Sequence, residues 1–127
     1  MKKKKGFTLV ELLAVIAILA ILATVATPLV MTASKNIKKK MFAAKVKMIE
    51  TAAVNCAQQY KDDDCNTVRK LCDKKFLSKS DKADVCQENP TNNKEMADCS
   101  IDIAQPYGRY VAIFPKNGET NSDCKPE

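Results

Sequence analysis

The stretch Gly6-Phe7-Thr8-Leu9-Val10-Glu11-Leu12-Leu13 opens an apolar run, Phe7 to Ala33, whose reading decides the architecture. The run is 27 residues long and holds one charge, Glu11; a short basic stretch, Met1 to Gly6, precedes it with Lys2, Lys3, Lys4 and Lys5. As a helix rising ~1.5 Å per residue it reaches about 40 Å, against a hydrocarbon core of roughly 30 Å, so it can span a bilayer. The plainer alternative is a secretory signal peptide cut near Ala26 or Thr27. Such a signal usually has an uncharged apolar region of about 7 to 15 residues, whereas this run is longer and carries a carboxylate five residues after Gly6. An ionisable group in a membrane segment costs roughly 2.5 to 3.5 kcal/mol at the helix centre and less near an end. Something must need it. If the chain is cut after Gly6, the new amine at Phe7 lies four residues from Glu11, on the same helix face. The two charges can pair within one chain or between neighbouring chains. A buried pair of that kind is better evidence for register than for stability, because leaving either charge alone is heavily penalised.

The segment Gly6-Phe7-Thr8-Leu9-Val10-Glu11 resembles the processing motif of the type IV pilin and pseudopilin family, and the likeness continues for about thirty residues. The resemblance implies that a dedicated membrane peptidase cuts after Gly6 and methylates Phe7, and that Glu11 neutralises the amine of an adjacent subunit during assembly. It implies a helical homo-oligomeric filament. Its further partners are the prepilin peptidase, an assembly ATPase and a membrane platform protein. Pro28, within Ala26-Thr27-Pro28-Leu29, stands where the family commonly has a helix-bending proline. Pro28 cannot donate, so the Thr24 carbonyl is left outside the helical ladder. One departure concerns Ala20, where many members have glycine. Glycine costs roughly 1 kcal/mol relative to alanine in a helix; this segment is therefore expected to resist unwinding more than is usual in the family.

Orientation brings a conflict. The positive-inside rule sets Lys2 to Lys5 against Lys35, Lys38, Lys39, Lys40, Lys45 and Lys47 beyond the run, and counting alone favours the reverse topology. The motif implies a precursor crossing the cytoplasmic membrane once, with Gly6 inside and the C-terminal part outside, and an extracellular filament after assembly. Net charge adds little: +6 overall falls to about +2 once the four leader lysines are set aside, leaving 17 basic residues against 15 acidic. The chain has no histidine, which excludes Ser-His-Asp and Cys-His catalysis and every His-ligated metal. No catalytic residue, cofactor or metal is expected.

After Ala33 the sequence stays compatible with helix to about Tyr60, without Gly or Pro, and becomes one-sided. Ile37, Met41, Ala44, Met48, Ala52 and Cys56 recur at three- and four-residue spacing, widened by Val46, Ile49, Ala53 and Tyr60; this stripe is expected to pack on a small outer domain. Lys35, Lys38, Lys39 and Lys40 are expected to face solvent or other subunits. Their charge would suit DNA, lipid headgroups or wall polymers. A solvated face, or pairing with the acidic run Asp62-Asp63-Asp64 of another subunit, needs no such ligand, and no interleaved aromatics support DNA.

All six cysteines, Cys56, Cys65, Cys72, Cys86, Cys99 and Cys124, fall in the part predicted to be exported. An even number in a small domain implies three disulfides, because so little apolar surface can be buried. Zinc is the rival, and the lack of any C-x-x-C pair and of histidine goes against it. Fifteen pairings are possible. Cys99 and Cys124 bracket the most strand-like stretch, and the family often closes its C-terminal region with a disulfide, so the resemblance favours that bridge. Within the head, helices are expected over 66–77, with Asn66 as N-cap, and over 80–87. Ser100 to Ala104 and Arg109 to Phe114 are expected as a hairpin joined by a type I turn at Gln105-Pro106-Tyr107-Gly108. Asn117-Gly118 suggests a weak third strand ending near Cys124.

The expected fold is α+β and helix-dominated: leader 1–6, membrane and filament-core helix 7–33, its amphipathic half 34–60, and a cysteine-rich head 61–127. The expected function is a non-enzymatic filament subunit. The rivals are a minor pilin or secretion pseudopilin, a secreted disulfide-rich binding module behind a signal peptide, and a permanently anchored adhesin.

Overall fold

The computed structural model describes residues 6–80 and 84–127. One helix dominates, α1 (Leu9–Gln59), and Pro28 lies inside it. The sequence explains its length. No glycine interrupts it, and strong helix formers fill both halves. The helix passes Ala20 and Pro28 unbroken. The chain divides into two compact units, the first ending at Asn36 and the second Ile37–Glu127.

In the first unit every described residue is exposed, including Leu12, Leu19, Leu22 and Leu29 at 53 to 69%. Its polar side chains look after themselves: the Thr24 hydroxyl donates to the Ile21 carbonyl (2.7 Å), Thr27 to Ala23 (2.7 Å) and Thr32 to Pro28 (3.1 Å). In hydrocarbon, where no water can serve, such back-bonding satisfies the hydroxyls without any partner outside the helix. Among the described residues α1 is the one helix long and apolar enough to cross a membrane.

In the second unit the rest of α1 supplies one wall of a core. Phe42, Ile49, Ala52, Ala53, Cys56 and Ala57 are buried, packed with Val68, Leu71, Met96, Ile101 and Phe114 and with all six half-cystines. Only the C-terminal part of the expected stripe is buried. Ala52, Ala53, Cys56 and Ile49 face inward, but Ile37, Met41 and Met48 are 58, 54 and 44% exposed, and Tyr60 47%. The apolar arc of this helix is wider than the head covers. Periodicity gives the width of such an arc, and only the head's position says which part is sealed.

The head is stapled at three points: Cys56–Cys65 joins the end of α1 to the next turn, Cys72–Cys86 joins the short helix α2 (Val68–Asp73) to the loop after it, and Cys99–Cys124 joins the strand region to the C-terminal turn. The last is the bridge singled out above. No cysteine is free. A 3-10 turn, Asp62–Asp64, leads into α2 (Val68–Asp73). This helix is shorter than expected and is capped by Thr67 instead of Asn66, the Thr67 hydroxyl accepting from the Lys70 N–H. Asn66 bonds to the Lys70 ammonium (2.9 Å). Lys75 turns left-handed (φ 63°) and the Phe76 and Leu77 amides return to the Leu71 carbonyl, which ends the helix before Leu77.

Of the helix expected over 80–87, residues 81–83 lie outside the described ones. The remainder is not helical, since Asp84 and Gln87 have φ of 58° and 57°. The hairpin forms as β1 (Asp102–Ala104) antiparallel to β2 (Val111–Ile113), with Ile103 opposite Ala112. Its turn is not type I: Tyr107 is left-handed (φ 54°, ψ 33°) within a 3-10 turn, Pro106–Gly108. The third strand is absent among the described residues. Gly118 turns the chain at φ 83° and a 3-10 turn, Ser122–Cys124, carries it to the last disulfide. The result is helix-dominated α+β with a two-stranded sheet.

Candidate functional site

Gly6, Phe7 and Thr8 precede the helix in exposed chain without regular secondary structure, with Phe7 84% exposed. An accessible, unstructured peptide bond between Gly6 and Phe7 is what a peptidase needs. Among the described residues nothing lies within 4 Å of where a Cβ at Gly6 would stand.

Helix α1 begins where it does because Thr8 and Glu11 close on one another. The Thr8 N–H donates to the Glu11 carboxylate at 3.0 Å, and the Glu11 N–H donates to the Thr8 hydroxyl at 3.3 Å. This is a reciprocal capping box, which meets two of the four backbone donors that a helix start leaves unpaired. A carboxylate in the first turn also complements the positive end of the helix dipole. From the sequence, Glu11 is expected to pair with an amine. In the uncut chain it has a partner already, and the Thr8-Leu9-Val10-Glu11 spacing was the signal that would have found it.

The structure brings Glu11 together with Thr8, one residue from the Gly6–Phe7 bond. It leaves Pro28 apart, within α1. The Lys35, Lys38, Lys39 and Lys40 side chains are exposed and make no ion pair among the described residues. Those residues contain no cluster of candidate metal ligands; every cysteine sulfur is already in a disulfide.

In the head, burial depresses the proton affinity of the Lys45 ammonium, with partial compensation from Glu88; its Nζ donates to the Glu88 carbonyl. Asn89 is fully buried and holds the tail, donating to the Asp123 and Lys125 carbonyls at 2.8 Å each. Its oxygen accepts from the Thr91 amide and hydroxyl. These groups position the head and show no arrangement for catalysis.

Residues 1–27 match the family model described as the prokaryotic N-terminal methylation motif. No curated protein and no solved structure matches the chain. The first 27 residues thus carry the type IV prepilin signature, at the start of an apolar helix of membrane-spanning length whose Gly6–Phe7 bond is exposed.

Proposed function

We propose that the chain is a structural subunit of a type IV pilus-like filament. It is inserted as a single-pass membrane precursor, cut after Gly6, methylated at Phe7, and drawn out of the membrane into a helical assembly. The observation that carries this reading is the first unit itself. Its large apolar side chains from Phe7 to Met31 are 52 to 84% exposed in the single chain. A surface of that kind is stable only in lipid or against other copies, and the motif that precedes it belongs to proteins that use both. A prepilin peptidase, an assembly ATPase and a membrane platform protein supply the chemistry and work. Glu11 pairs with the amine released at Phe7 of a neighbouring copy, and Pro28 provides the point at which α1 bends to pack.

Intact mass of the chain in sheared filaments tests this. A mature species starting at methylated Phe7 is expected. A species starting near Thr27 would identify a secreted module instead, and an uncut chain beginning at Met1 with no filaments would identify an anchored adhesin.

A further inference from the structure

The face of α1 that the head leaves open has a pattern of its own. Ile37, Met41, Ala44 and Met48 recur every three or four residues along one narrow stripe. Beside them Glu88 and Pro90, with Lys45, wall a groove of about 450 Å³ over Met41, Ala44 and Met48. Exposed methionines in an open apolar groove suit a surface that another chain covers.

Charge around the groove is equally lopsided. Lys38, Lys39, Lys40 and Lys47 are exposed and make no ion pair or side-chain hydrogen bond among the described residues. At the far end of α1, the carboxylates of Asp62, Asp63 and Asp64 are exposed and equally without partners among those residues. The two groups cannot meet within one chain. From Lys39 to the end of α1 at Gln59 is about twenty residues of helix, roughly 30 Å.

We infer that a second copy of this chain, shifted along α1 by about 22 residues or roughly 33 Å, lays its apolar segment on the open stripe and its lysines on Asp62–Asp64. One shift satisfies both surfaces. Counted along α1, it sets residues 15–26 of the second copy, uncharged throughout, against residues 37–48 of the first. The same shift sets Lys38, Lys39 and Lys40 of the second copy level with residues 60–62, where the acidic turn Asp62–Asp64 begins. Each copy uses different surfaces for its two neighbours, so the contact is heterologous and repeats without closing, as a filament requires. It rests on the filament reading above and adds a register to it, distinct from the shift of about four residues that pairs Glu11 with a neighbour's amine.

Two measurements on sheared filaments decide it. Zero-length carbodiimide coupling of wild-type filaments is expected to join Lys38, Lys39 or Lys40 to Asp62, Asp63 or Asp64, a link that must run between copies. Filaments that contain the chain but yield no such link overturn the register and leave the filament reading standing. If the chain is in no filament at all, both fail. The second measurement is a charge exchange in the producing cells. Changing Lys38, Lys39 and Lys40 together to Asp, or Asp62, Asp63 and Asp64 together to Lys, is expected to lower filament yield at least tenfold with a normal membrane pool. Combining the two sets is expected to restore it to within threefold. Undiminished yield in the single sets, or no recovery in the combination, overturns the pairing.

Discussion

The Glu11 carboxylate accepts a hydrogen bond from the Thr8 amide at 3.0 Å while the Thr8 hydroxyl accepts one from the Glu11 amide at 3.3 Å. Glu11 therefore has two duties in the proposed cycle. It starts the helix before the cut, and it meets an amine after it. In that cycle Glu11 gives up the Thr8 amide to meet the Phe7 amine of a neighbouring copy.

The two duties separate in Glu11→Gln. Glutamine serves in a capping box as glutamate does, but it carries no charge. Glu11→Gln is expected to keep the α1 start and processing after Gly6 while losing incorporation into sheared filaments as severely as Glu11→Ala. Thr8→Ala is expected to do the reverse, fraying the first turn at a cost of about 0.5 to 2 kcal/mol and leaving the charge. Filament yield with intact mass of the membrane pool checks all three, and normal assembly of Glu11→Gln would assign the role to capping.

Asn89 is the polar hub of the head. Its amide donates to two carbonyls near the C-terminus, and its oxygen accepts twice from Thr91. Asn89→Leu leaves the Asp123 and Lys125 carbonyls without that donor, at an expected cost of about 2 to 4 kcal/mol. The tail after Cys124 should also become open to carboxypeptidase. A urea titration of the full chain in detergent, followed by proteolysis, measures both.

The disulfides should differ in worth according to the loops they close. Sequence separations are 9 for Cys56–Cys65, 14 for Cys72–Cys86 and 25 for Cys99–Cys124. On the chain-entropy account the shortest contributes about 2.6 kcal/mol and the longest about 3.5 kcal/mol. Paired Cys→Ser variants are expected to lose midpoint stability in that order. The Cys56–Cys65 pair should show a loss of filament yield out of proportion to its stability cost, because it anchors the turn that presents Asp62–Asp64.

Much of this was legible in the residues. The long helix, the processing motif, the disulfide-bonded head and the hairpin each follow from a strong local signal: unbroken helix formers, a short motif, an even cysteine count, and alternating strands around Pro and Gly. What was not legible depends on tertiary position. Which part of a broad apolar arc the head seals is decided by where residues 88–90 come to lie, and the exposed Met41 and Met48 are the outcome. Thr67 displaced Asn66 as cap because Asn66 is drawn to Lys70. Tyr107 adopted a left-handed conformation that a type I turn would not ask of it. The capping box is legible in the Thr8-Leu9-Val10-Glu11 spacing, but a lone carboxylate in an apolar run reads first as a charge that needs a counter-charge and only then as part of a helix start.

Acid should weaken the head through Glu119. Its carboxylate takes the Asn121 amide at 3.1 Å and the Ser100 amide at 3.3 Å. Those backbone bonds, that from Asn121 foremost, hold its pKa below the ordinary 4.5. Just below pH 4.5 the unfolded chain therefore binds more protons at this site than the folded head does, and stability falls as pH falls. The contribution is complete above pH 4.5 and is lost as the pH drops through the folded value. Glu119→Gln removes the titration, and with an amide oxygen still able to accept it should keep part of the bonding. The expected result is a urea midpoint between pH 5 and pH 3 that declines less steeply in Glu119→Gln than in the unaltered chain, with the two curves converging at the acid end. Equal slopes would place the acid sensitivity on other carboxylates and deny Glu119 its part in tying the segment after Gly118 to Ser100.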